Sequence, residues 1–248
     1  MMRSCWRSAG IVGRTDDGRR GLPAAAGGIR AKERRSYLTR IESTVLPGKQ
    51  RAFEAFLDGL YAISARAPGF RVAGAAGSIA HPSRHIGIAL WDDAASAAAL
   101  HRGDAYQNYL AANPPSALVT PVRAPEGYDV VARVQDRPTN EAGVLALFDV
   151  SVDRAQIAAF EAEIQQRLEL RTRVGHGLVS NTLCRSLSEP GQYFLFFVHT
   201  DDAALQATAD ALEVRAAREA RPVGSLGDRL VAQDRGGVVK IAVPALVA

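Results

Sequence analysis

Cysteine is nearly absent from this chain. Cys5 and Cys184 are the only two in 248 residues, far apart and in no CxxC pair. A disulfide framework and a dithiol redox or metal pair are thereby excluded, and a reducing cytoplasm is the expected compartment. Long apolar runs are missing as well. No window reaches the roughly 18 uninterrupted apolar residues of a membrane span, and none offers the apolar core of about 7–15 residues that a secretory leader needs, so no membrane partner is expected. Also absent are a GxGxxG after a strand, a P-loop and a GxSxG nucleophile elbow, which leaves nucleotide and acyl-transfer roles without support. No two histidines, and no histidine with a carboxylate, stand at a metal-ligand spacing, so no metal is expected.

Acidic charge is scarce in one place only. Residues 1–36 carry nine basic and three acidic side chains, a net +6, against +4 for the whole chain, so the rest is close to neutral at −2. That segment also holds Gly10, Gly13, Gly18, Gly21, Pro23, Gly27 and Gly28 among few large apolar residues, and is expected to be a disordered basic tail. The basicity therefore belongs to the tail. With no basic stripe interleaved with aromatics in the body, no nucleic-acid partner is expected.

The chain as a whole is 47% apolar and 23% charged, the balance of a globular protein. Residues 37–44 read as a strand, and Pro47-Gly48 leads into a helix on which Phe53, Phe56, Leu57, Leu60 and Ser64 recur at three- and four-residue spacing. Strands follow over 70–80 and 85–91 around the turn at 81–84, then a helical region over 94–112 and a strand over 128–134. After a polar linker the order recurs: a strand over 144–150, a helix begun by Asp153 with Ile157, Phe160, Ile164 and Leu168 inward, a hairpin over 177–200, a helix from Asp201-Asp202, and a strand over 238–243. The two halves match in residues as well as in order. Ala52-Phe53-Glu54-Ala55 aligns with Ala159-Phe160-Glu161-Ala162 at an offset of 107, Pro82 with Pro190 at 108, and Asp92-Asp93-Ala94-Ala95 with Asp201-Asp202-Ala203-Ala204 at 109.

Each half is a β-α-β-β-α-β unit, an α+β ferredoxin-like arrangement whose free sheet face must be covered. The expected organisation is a tail at 1–36, one unit at 37–134, a linker at 135–143 and a second unit at 144–248. The two units would pack sheet against sheet as a pseudo-dimeric α/β barrel, monomeric or further paired as a homodimer, with a pocket between helices and sheet in each half.

One stretch gathers most of the chemistry: Trp91 ends a strand, Asp92-Asp93 opens a helix, and His101, Tyr106 and Tyr109 follow. A unit of this order with Trp at the end of its third strand and His ten positions on resembles the antibiotic biosynthesis monooxygenase-type dimeric α/β barrel family. The resemblance covers 37–134 directly and 144–243 through the repeat. It implies oxygenation of an aromatic polyketide or polyphenol, of anthrone or quinone type, in secondary metabolism, with dioxygen as co-substrate and no haem or flavin. Haem-degrading members carry Asn on the first strand and His late in the second helix, where this chain has Thr39, Arg40 and Ile41, and Leu110, Ala111 and Ala112.

On that resemblance Trp91 walls the slot, His101 is the base, Tyr106 or Tyr109 holds substrate oxygens, and Arg40 and Phe53 are further substrate contacts. The residues are equally compatible with a helix–sheet core closed by Trp91 and a solvent-facing His101. A non-redox cyclase, an isomerase or a small-molecule binding protein would need the same pocket. In the second half His199 stands where Trp91 does and Asn181 where Ala73 does. With Tyr193 they form either a second site or the remnant of a half that serves as a built-in dimer partner.

Overall fold

The computed structural model describes residues 36–120, 125–219 and the backbone of 230–242. The expected tail at 1–36 thus lies, up to residue 35, outside the described residues. Strands β1 (Tyr37–Thr44), β2 (Phe70–Ser78), β3 (Arg84–Trp91) and β4 (Glu126–Gln135) enclose helices α1 (Gln50–Ser64), α2 (Ala94–Arg102) and α3 (Asp104–Ala112) in chain order. The second half repeats this with β5 (Val144–Ser151), α4 (Ile157–Val174), β6 (Leu178–Ser186), β7 (Gln192–His199), α5 (Asp202–Asp210), α6 (Leu212–Glu219) and β8 (Leu230–Ala242).

Each half forms a four-stranded antiparallel sheet, β4-β1-β3-β2 and β8-β5-β7-β6, and the edges then join. Strand β2 pairs with β8 and β4 with β6, so the eight strands close into one barrel within a single chain. Among the described residues every strand therefore has a neighbour on both sides, the β1–β4 ladder being the shortest at Tyr37–Arg40. The expected sheet-to-sheet cover is therefore also a continuous ladder.

Alternation along each strand sorts side chains to two faces. Leu38, Ile86, Leu90, Leu145, Phe194, Phe196 and Val198 fill the barrel lumen. The opposite faces carry the helices: Phe160, Ile164 and Leu168 of α4 pack on Val144, Leu195 and Phe197, and Phe53, Phe56 and Leu57 of α1 pack on Ala75. Each of these large side chains contributes roughly 1.5–3 kcal/mol by leaving water, which explains the three- and four-residue spacing of the apolar positions.

The repeat extends to fine geometry. Asp93 and Asp201 both cap a helix with their side chains, accepting from Ser96 N and Ala204 N at 2.8 Å each. Gly69 and Gly177, 108 apart, both have positive φ, 76° and 57°. A Cβ on either would fall within 3 Å of the helix packed over it, at Ser96 or Ala204, which are also 108 apart. Close approach of helix to strand is thus met by glycine twice.

Three expectations are corrected. The region 94–112 is two helices, broken at Gly103, where ψ is 141°. Ala211, 108 residues on, breaks the second-half helix with ψ 133°, so the bend belongs to the fold and not to glycine's low helix propensity. Asp153 makes no side-chain cap bond, because a 3₁₀ turn at Arg154–Gln156 precedes α4. Strand β8 starts eight residues earlier than expected, because it must pair with both β5 and β2 to close the barrel. Among the described residues, no helix is long and apolar enough to cross a membrane.

Candidate active site

Trp91 lies directly opposite Tyr37 on β1 and Phe70 on β2. Paired positions in a ladder share a face, so the three form an aromatic ridge across three strands on the helix side of the first half. Trp91 is 1% exposed, with its ring edge-on to Phe70 at 5.2 Å between centroids. Ala97 and Leu100 of α2 and Tyr61 of α1 pack over it. Its Nε1 is buried without a hydrogen-bond partner, and an indole N–H held that way is costly unless a ligand oxygen meets it.

His101 sits one turn after Ala97, and residues four apart share a helix face, so it extends the side of α2 that covers Trp91. Its ring meets that of Tyr106, on the first turn of α3, at 5.1 Å and 44°. The break at Gly103 makes this meeting possible. Burial lowers the pKa of His101 and raises that of Tyr106. At neutral pH the pair is accordingly a neutral imidazole able to accept a proton and a phenol able to donate a hydrogen bond. The helix start beneath them is held by Asp93 and by an Arg71 Nε to Asp92 ion pair of 2.6 Å.

The other expected residues fall in separate places. Tyr109 turns to α1, where its hydroxyl donates to Phe56 O at 2.8 Å and its ring stacks on Phe56. Phe53 is buried beside it, edge-on to His85 at 5.2 Å. These two belong to a neighbouring cluster, and Tyr61 touches both clusters. Arg40 points into the lumen, through the sheet from Trp91. It forms a two-pronged ion pair with Asp149, its Nη2 to Oδ2 distance 3.0 Å, and it also pairs with Glu42 and lies 4.3 Å over the Phe194 ring. Burial opposes its charge, but Asp149 and Glu42 outweigh that and raise its pKa, while Arg84 and Arg40 hold Glu42 low against burial.

In the second half the ridge becomes Val144, His199 and Leu178 at the same three-strand position. His199 and Asn181 are both fully buried on the helix side. Asn181 Nδ2 donates to Leu168 O at 3.2 Å, while its Oδ1 and both ring nitrogens of His199 have no partner. Burial, reinforced by Arg171 and opposed by Asp201, pushes the pKa of His199 down to about 4. Tyr193 does not join them. It sits six residues along β7, roughly 20 Å away, and its hydroxyl donates to Glu161 at 2.8 Å.

Tyr37, Phe70 and Tyr61 were not singled out from the sequence. Tyr61 continues the Phe53, Leu57 face at four-residue spacing and was legible in that sense. Tyr37 and Phe70 join Trp91 only through strand register.

No protein-family model matches the sequence, and no curated protein matches it. Solved structures do share the architecture. A "putative monooxygenase" from Lactobacillus acidophilus is 12% identical with a TM-score of 0.69, covering 85% of this chain and 97% of its own. A "putative monooxygenase" from Fusobacterium nucleatum is 13% identical with a TM-score of 0.71, covering 84% and 94%. An anthrone oxidase-like protein is 12% identical with a TM-score of 0.60, covering 87% and 95%. The chain shares with these structures, at low identity, an α+β barrel fold, here closed from two β-α-β-β-α-β units in one polypeptide.

Proposed function

We propose that the chain is a cofactor-independent oxygenase of an aromatic polyketide or polyphenol of anthrone type, acting in the first half. The reading is carried by one observation. Trp91 carries a buried, unpartnered Nε1 and is covered by α2 at Ala97 and Leu100, and the same helix ends in His101, whose ring meets Tyr106. A planar substrate admitted to the Tyr37–Trp91–Phe70 ridge by displacement of α2, which covers it at Ala97 and Leu100, would give that N–H an oxygen to bind. The names borne by structures of similar fold, two monooxygenases and an anthrone oxidase-like protein, agree with this class.

His101 takes a proton from the activated CH₂ of the substrate, and Trp91 Nε1 and Tyr106 stabilise the resulting enolate. The carbanion passes one electron to dioxygen, and the radical pair combines to a peroxide. Loss of the second C–H proton breaks the O–O bond, and the departing hydroxide leaves with the proton from His101 as water. In sum, CH₂ and O₂ become C=O and H₂O, with one oxygen atom retained. A neutral base beside a phenol donor also suits a proton-transfer cyclisation, which consumes no dioxygen.

Turnover of an anthrone and hydroquinone panel under ¹⁸O₂, without added metal or flavin, separates the two. One labelled oxygen in the product supports oxygenation. An unlabelled, isomeric product establishes the cyclase, and no turnover of the panel by the folded protein counts against both.

A further inference from the structure

Helices α2 and α5 occupy equivalent places in the repeat. Each begins at a capping aspartate, Asp93 or Asp201, and ends at a bend, Gly103 or Ala211. They are held down differently. In α5, Leu205 is 4% exposed and Thr208 is fully buried. Thr208 Oγ1 accepts from His176 N at 2.9 Å and donates to Ala204 O, which pins the helix to the loop before β6.

The counterparts 108 residues earlier are Ala97, Leu100 and Pro68. Leucine has no hydroxyl and proline no N–H, so the pin is deleted from both ends. Ala97 is the one buried residue of α2, and it brings a methyl group where Leu205 brings an isobutyl. The first bond of the helix is longer as well, Ala97 N to Asp93 O at 3.5 Å against 3.1 Å for Leu205 N to Asp201 O.

What lies under α2 is Trp91, packed against Ala97 and Leu100, so the ridge is reached when this helix lifts. Asp93 and Gly103 are both extended, with ψ of 171° and 141°, and leave α2 as a short rigid segment between two non-helical joints. The strand side of the first joint is fixed by Asp92 N to Gly69 O at 2.8 Å and by the Arg71–Asp92 ion pair. At the second joint Gln107 Nε2 donates to His101 O, and α3 beyond it is held to α1 by Tyr109. Both joints are thus anchored while the helix between them is lightly packed.

We propose that α2 is the lid of the Trp91 ridge. It opens as a unit between Asp93 and Gly103 to admit a ligand, and Ala97, Leu100 and Pro68 are what make it easier to lift than the pinned α5. Closing returns His101, which rides on the lid, to its place against Tyr106. The motion belongs to the free chain; that the ligand admitted is an anthrone-type substrate rests on the function proposed above. An isobutyl reduced to a methyl and one lost hydrogen bond correspond to at least about tenfold in the opening equilibrium.

Hydrogen exchange of the full, ligand-free chain, followed by NMR, reads each helix separately. The amides of residues 98–102 should be protected at least about tenfold less than those of 206–210. The Trp91 indole N–H, told from that of Trp6 by a Trp6→Phe variant, should show protection within about threefold of the α2 amides, because the same opening exposes it. Pro68→His with Leu100→Thr rebuilds the pin. It should raise the protection of α2 and of the indole about five- to tenfold, with α5 unchanged as the measure of an intact fold. Thr208→Val removes the pin from α5 and should lower its protection by a similar factor. Equal protection of α2 and α5 in the wild type, an indole protected far beyond α2, or a folded double variant with α2 unchanged would overturn the proposal. If the double variant does not fold, an unchanged α5 in Thr208→Val overturns it instead. No substrate enters these measurements, so a lid that opens as expected beside absent anthrone turnover counts against the oxygenase and leaves the lid standing.

Discussion

His199→Leu should make the protein less sensitive to acid than the wild type. The imidazole is fully buried between Val144 and Leu178, with no partner for either nitrogen. Burial and the nearby Arg171, against a weaker pull from Asp201, hold its pKa near 4 instead of the ordinary 6.5. The unfolded chain therefore binds this proton more readily. Stability is flat above about pH 6.5, falls as the unfolded chain takes up the proton between about pH 6.5 and 4, and levels off below. The gap in pKa is worth about 3 kcal/mol, of which about 2 kcal/mol is lost by pH 5. In a chain of this size that is roughly 4–8 °C in Tm. Leucine has a similar volume and apolar neighbours, so the variant should match the wild type at pH 7.5 within about 1.5 kcal/mol and exceed it at pH 5. Carboxylates held low in the folded state, such as Glu42, lose their contribution on acidification in both proteins, so the difference between them isolates His199. Urea denaturation of both at pH 7.5, 6, 5 and 4.5 reads it directly. Parallel stability–pH curves would refute the reasoning and mean that His199 is hydrated or charged in the folded state.

His101→Ala should lower kcat by about 10²–10⁴-fold, the usual weight of a general base, with KM nearly unchanged. Because burial lowers the His101 pKa, the acid limb of the wild-type kcat/KM profile should fall below pH 6.5, which a pH–rate series checks. Trp91→Phe keeps the ring and loses the N–H. It should weaken substrate binding about five- to tenfold, whereas Trp91→Ala should cost about 3–5 kcal/mol of stability; steady-state kinetics and chemical denaturation distinguish these effects. Arg40→Met strands Asp149 and Glu42, which keep partial access to solvent, so a cost of about 2–3 kcal/mol is expected, below that for a fully buried pair. Adding Asp149→Asn should recover at least about 1 kcal/mol in a double-mutant cycle.

The duplication was legible because it is local. Asp93 and Asp201 cap helices by side-chain bonds to the residue three ahead, and the apolar spacing on α1 and α4 follows from one helix period. Trp91 and His101 were legible as members of one strand–helix stretch, the end of β3 and the last turn of α2. Non-local features were not. Whether Arg40 faces the helices or the lumen depends on strand parity, which a one-residue shift inverts. Its partner Asp149 lies 109 residues away. The barrel lumen closes only once β2 meets β8 and β4 meets β6, contacts that no window of sequence contains. The bend shared by Gly103 and Ala211 was hidden for a related reason: one of the two residues is a good helix former, so the bend follows from packing on the barrel and not from propensity.

Oxygen consumption by the purified full chain, recorded with an oxygen electrode in chelator-treated buffer while an anthrone is supplied, tests the central claim most directly. The account predicts uptake of one dioxygen per anthrone consumed, and its near-complete loss in folded His101→Ala. Anthrone turnover without oxygen uptake, or uptake that persists undiminished in His101→Ala, would contradict it.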